Sequence, residues 1–223
     1  MLLGPAVAGL TMIAITEGMP GLQDLWRRQL RWRVHWRWYA IAVLTTPILL
    51  LAVLGPLSIM SPAFVPSILA TNDLLEVLAF ALVSGLFAGF LEEVGWTGFA
   101  LPRLRRQHNL LVAGLVLGML WGVWHGLADY WGSHIEFGNL WLTRIALWTA
   151  ALTAYRMLIS WVYENTASLL LAELMHASFT GSQGLLVPAL SPEDHFIWYS
   201  LFTVLLWMAA LVVVTTTRHY RTS

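Results

Sequence analysis

Residues 74–106 read LLEVLAFALVSGLFAGFLEEVGWTGFALPRLRR, and the reading of this stretch decides the fold. Its opening part, 74–91, carries Glu76 as its one charged residue. About 18 to 20 residues of this character cross the hydrocarbon core of a bilayer. They do so as a helix, because in lipid every backbone N–H and C=O must find its partner within the protein. Glu92 and Glu93 end the apolar run, and Arg103, Arg105 and Arg106 follow Pro102.

Comparable runs lie at 1–16, 39–60, 109–128, 137–163, 165–190 and 196–217. They are too long and too continuously apolar for the alternating segments of about 10 residues found in outer-membrane barrels. The expected fold class is therefore all-α, a polytopic transmembrane helix bundle of about seven spans. The first run lacks a basic leader and a small-residue cleavage site, so it reads as a membrane helix rather than a signal peptide. Composition agrees, since 58% of the 223 residues are hydrophobic and 11% charged, a balance that polar surface could not cover in water. The length leaves room for one membrane-embedded domain over 1–223. With a net charge of zero, nucleic acid is excluded as a partner. Without cysteine there is no disulfide, no thiolate nucleophile and no cysteine zinc site. Chemistry falls to His, Glu, Asp and Ser.

Cytoplasmic loops collect positive charge. Arg27, Arg28, Arg31, Arg33 and Arg37, then Arg103, Arg105 and Arg106, then Arg218 and Arg221 follow alternate runs and place three loops on one side. Loops 61–73, 129–136 and 191–195 carry Asp73, Asp129, Glu136, Glu193 and Asp194 on the other. The N-terminus then lies outside, more natural after one further helix, so eight helices are expected in the full fold. Segment 21–38, with Trp26, Trp32, Trp36 and Trp38 among its arginines, is expected along the cytoplasmic interface.

A charge near the bilayer centre costs at least ~2.5 kcal/mol on insertion scales, so ionisable residues inside spans locate a site. The candidates are Glu76, Glu92, Glu93, His125, Arg144, Arg156, Glu173 and His176, of which Glu92, Glu93, His125 and His176 form the group of interest. Adjacent helical residues point about 100° apart, so one of the two glutamates can face the histidines while the other braces a neighbouring helix. The alternative is a pair at a helix end bonded to the next loop. His125 sits in Trp121-Gly122-Val123-Trp124-His125-Gly126, whose glycines allow close helix approach; a lone histidine there can also be a plain interhelical hydrogen bonder. Thr180, one turn after His176, shares its face, and Ser178, Gly181, Ser182 and Gln183 make this span polar enough to border a wet cavity. Glu173-x-x-His176 has the spacing of a di-metal ligand pair, but no second copy exists to complete one. Depth poses a question. Glu92 ends its run, whereas His125 lies about 24 Å into the next. Either the third helix continues past Gly95 or the fourth begins well after Asn109.

The stretch Glu92-Glu93-Val94-Gly95-Trp96-Thr97-Gly98-Phe99-Ala100-Leu101-Pro102-Arg103-Leu104, then His125, then His176-Ala177-Ser178-Phe179-Thr180, resembles the CPBP (ABI) family of intramembrane proteases. That family comprises type II CAAX prenyl endopeptidases and bacteriocin-processing or immunity homologues. The resemblance implies that Glu92 activates a water together with His125, with Glu93 beside it, and that His176 and Thr180 stabilise the oxyanion. Such chemistry needs a base, a positioned water and donors aimed at developing charge. Three positions depart from the family pattern: Thr97 stands for the arginine of EExxxR, Trp121 for a phenylalanine, and Thr180 for Asn or Asp. The first would leave Glu93 without its cationic brace.

The implied function is endoproteolysis of a membrane-associated peptide or protein. The alternatives are a catalytically weak immunity or peptide-binding protein and a transporter or proton relay. No cofactor is implied, although Glu92, His125 and His176 could also hold a zinc ion with an open position for water. The lysine-free, Arg- and Trp-rich composition suggests a bacterial plasma membrane, an unprenylated substrate and a site opening toward the cytoplasm.

Overall fold

The computed structural model describes residues 2–217, the side chains of Ser133 and His134 excepted. In chain order its helices are α1 (Leu3–Thr16), α2 (Gly18–Gln29), α3 (Trp36–Met60), the single turn α4 (Ser67–Ala70), α5 (Leu74–Glu93), α6 (Leu101–Arg105), α7 (Leu110–Phe137), α8 (Trp141–Thr166), α9 (Leu169–Leu186) and α10 (Pro192–Thr216). The protein is an all-α membrane bundle. Among the described residues, five stretches are long and apolar enough to cross a membrane: Trp36–Met60, Leu74–Arg105, Leu110–Gly132, Ile135–Thr166 and Pro192–Thr216. The other two expected spans are also helices, but α1 has only 14 residues and α9 has 18, broken by polar side chains.

The question of depth resolves toward the first alternative. Glu93 is followed by a π-helical segment, Val94–Ala100, which runs into α6, so helix is continuous from Leu74 to Arg105. Glu92 lies inside this 32-residue helix rather than at its end. A π-turn holds one residue more than an α-turn and tends to occur where a site needs side chains re-aimed. Two further boundaries differ from expectation. Residues 129–136 belong to α7, which continues to Phe137 and stops at Gly138, whose φ of 50° no helix can extend. Segment 21–38 is divided: α2 ends at Gln29 and Trp36 already opens α3.

Small residues set the helix spacing. A Cβ at Gly89 would come within 2.3 Å of the Glu173 carbonyl, so α5 and α9 touch backbone to backbone there. Gly118 and Gly122 meet the Cα atoms of Thr153 and Thr149 in the same way and seat α7 on α8. Helix α8 is the centre of the bundle, with every residue from Ala151 to Ser160 buried. Over that stretch the helix has no face left for lipid, whereas its first half, with Leu142 exposed, does.

The arginine loops gather at one end. Arg105 pairs with Glu164 at 2.8 Å, Arg103 with Glu17 at 3.0 Å, Arg28 donates to the Gly98 carbonyl, and Ser168 donates to the Arg31 carbonyl. Arg218 and Arg221 lie outside the described residues.

Candidate active site

Four helices meet at Glu92. From the helix through α5 come Glu92, Glu93 and Thr97; from α7, Trp121 and His125; from α8, Arg156; from α9, His176 and Thr180. The two glutamates diverge as adjacent helical residues must. Glu92, 1% exposed, faces a cavity of about 250 Å³ whose walls include Trp121, His125, Trp148, His176, Thr180 and Gln183. Its Oε2 accepts the indole N–H of Trp121 at 2.8 Å. The Nε2 atoms of His125 and His176 stand 3.9 and 4.0 Å from its two oxygens.

Glu93 points away from that cavity and is saturated. Arg156 bridges both of its oxygens at 2.7 Å, Thr97 donates to Oε2, and His176 Nδ1 lies 2.7 Å from Oε1. A bidentate guanidinium–carboxylate pair is among the strongest hydrogen-bonded arrangements. The expectation that Thr97 would deprive Glu93 of a cationic brace is thus corrected: Arg156 supplies the cation from another helix, and Thr97 adds a hydrogen bond. Arg156 also stacks on the Trp121 ring, 4.4 Å from its centroid.

These bonds assign the imidazoles. A carbonyl or a carboxylate held by a guanidinium can only accept. His125 Nδ1 lies 2.9 Å from the Trp121 carbonyl, and His176 Nδ1 lies against Glu93, so both Nδ1 atoms donate. Both Nε2 atoms are then turned toward Glu92. Separations near 4 Å between polar atoms are those that one bridging water spans.

Three sequence candidates lie apart from this centre. Glu173 is fully buried but turns to α2, where Gln29 donates to it at 2.6 Å. Arg144 forms an ion pair with Asp129, while Glu76 stands exposed in the first turn of α5. In the other direction, the structure brings to the site Arg156 and Gln183, both named from the sequence but outside the group of interest, and the indole N–H of Trp121. Arg156 had a readable signal, because an arginine in mid-span implies an acidic partner. Among the described residues, no group of three or more His, Asp or Glu side chains is arranged to hold a metal ion.

Residues 74–182 match the model of the type II CAAX prenyl endopeptidase Rce1-like family. The chain is also 24% identical over 122 residues to CAAX prenyl protease 2 of Methanococcus maripaludis, an alignment covering 52% of this chain and 42% of that protein. The chain thus spans less than half the length of that relative. The matched segment holds the residues around Glu92 from the paired glutamates to Thr180 and ends one residue before Gln183. Over residues 74–182 this integral membrane protein is similar to the Rce1-like family of type II CAAX prenyl endopeptidases.

Proposed function

We propose that the protein is an intramembrane endopeptidase that hydrolyses a peptide bond in a membrane-associated polypeptide, with Glu92 as the base. The observation that carries this reading is the carboxylate of Glu92 facing two imidazole Nε2 atoms at 3.9 and 4.0 Å across a cavity. A water between Glu92 and His125 donates one hydrogen to each and keeps a lone pair for the scissile carbonyl. Glu92 takes the proton as oxygen attacks carbon and then returns it to the leaving amine. His176, carrying its second proton on Nε2, and the Thr180 hydroxyl donate to the oxyanion. In that state two carboxylates, Glu92 and Glu93, are balanced by Arg156 and His176, which limits the cost of burying them. Gln183, on the same face of α9 one turn beyond Thr180, supplies a further amide to the cavity wall.

We also place the protein in a bacterial plasma membrane with its arginine-bearing end in the cytoplasm. Ala88, Trp148 and Gln183 each lie farther from that end than Glu92, Arg156 and His176 of the same helices, and all three line the cavity. The Glu93–Arg156 network closes the arginine side. This placement disfavours the cytoplasmic opening read from the arginines alone and favours a peptide that reaches the site from within the bilayer.

The test is cleavage of a fluorogenic membrane-peptide library in detergent by wild type and Glu92→Gln, each with and without a chelator. Loss of at least a hundredfold in Glu92→Gln supports the reading; retained cleavage overturns it. Loss on chelation alone would move Glu92, His125 and His176 to the role of zinc ligands. Thr180, in place of the family's Asn or Asp, favours the second reading, a peptide-binding or immunity protein. That reading predicts protection that survives replacement of Glu92, His125 and His176.

A further inference from the structure

We propose that Arg156 is the positioning residue of this site, bracing Glu93 from α8 where position 97 of its own helix carries a threonine. The inference rests on the hydrolytic reading for its consequence and on geometry for its substance. Position 97 carries a threonine whose hydroxyl is only long enough to reach one oxygen of Glu93. Arg156 reaches both, at 2.7 Å each, and a second contact of 3.3 Å to the Thr97 hydroxyl ties the two residues into one unit. Residues 97 and 156 are both fully buried, so the guanidinium and the hydroxyl occupy a shared interior space.

The effect passes through Glu93 to His176. With Arg156 across both oxygens, Glu93 presents a carboxylate that only accepts, and it accepts from Nδ1 of His176 at 2.7 Å. That bond leaves Nε2 as the nitrogen facing Glu92. Without the guanidinium nothing obliges Glu93 to remain an acceptor; once it donates to Nδ1 the histidine reverses, its single hydrogen moves to Nε2, and the second proton that makes the ring a cation has no place. Arg156 touches neither the cavity nor the reacting atoms; it acts by deciding which nitrogen of His176 bears hydrogen.

The experiment is nitrogen NMR of the detergent-solubilised protein labelled in its histidines, with His176 assigned by His176→Gln, alongside hydrolysis of whichever library peptide the wild type cleaves. Wild type is expected to show a protonated Nδ1 at His176. In Arg156→Met that signature is lost or mixed, and hydrolysis falls at least tenfold. Transposing the cation, Arg156→Met with Thr97→Arg, is expected to restore the signature and at least part of the hydrolysis. Arg156→Lys serves where the methionine variant does not fold: it keeps the charge but cannot bridge both oxygens, and hydrolysis falls at least tenfold. Unchanged His176 nitrogens in Arg156→Met, or wild-type hydrolysis in Arg156→Lys, overturns the proposal. A wild type that cleaves nothing defeats the hydrolytic reading and leaves the NMR comparison to decide on Arg156 by itself.

Discussion

Trp121 joins the two halves of the site. Its N–H binds Glu92, its ring stands edge-on to His125 and His176 with centroids 5.4 and 4.9 Å away, and its face carries Arg156. A hydrogen bond to a charged group is worth about 1.5–3 kcal/mol, so Trp121→Phe is expected to lower the hydrolysis rate roughly ten- to a hundredfold, measured as kcat on a cleaved library peptide. Breaking a buried ion pair from one side costs about 3–5 kcal/mol. Arg156→Met should therefore lower the unfolding midpoint in detergent markedly, and adding Glu93→Gln should recover part of it while hydrolysis stays lost. The divergence of Glu92 and Glu93 was legible from the 100° step of a helix. The partner of Glu93 was not, because Arg156 is 63 residues away in sequence and only packing brings it near.

Helices α5 and α9 approach because Gly85, Gly89 and Gly181 leave their backbones bare. Overpacking a close contact costs about 1–3 kcal/mol. Gly89→Val, with the Glu173 carbonyl 2.3 Å from its Cβ position, is expected to separate Glu93 from His176 and to lower both thermal stability and hydrolysis. Gly55→Ala, where nothing lies within 4 Å, should leave hydrolysis unchanged. Apolar runs announced the helices, since lipid permits little else. They did not announce the π-segment, because Val94–Ala100 has no composition that distinguishes it from an α-helix; its extra residue is accommodated by what packs around it. The end of the Leu110 helix escaped for a related reason. Acidic residues at 129 and 136 look like loop, yet Asp129 is paired with Arg144 on the neighbouring helix and stays within helical structure.

The bundle as a whole is organised about the buried half of α8, and its arginine-bearing ends are stitched to one another by Arg103, Arg105 and Arg28. With no cysteine in the sequence, single substitutions report topology cleanly. Cysteine at Arg106 should react with an impermeant maleimide from the cytoplasmic side only and at Asp73 from the outside only; both reacting from one side would overturn the orientation. The arginine bias carries the expected orientation, whereas nothing in the sequence carries the order of packing around α8, since every span is apolar enough to sit anywhere in the bundle. The central place of Arg156 also bears on how the protein is made. Ribosomes add roughly 5–20 residues per second, so Glu93 is synthesised about 3–13 s before the arginine 63 residues downstream. During that interval the nascent chain carries two unaccompanied carboxylates in a membrane helix. Assembly therefore has a vulnerable window that closes only when α8 arrives, and a chain lacking Arg156 should accumulate in the membrane to a lower level than wild type.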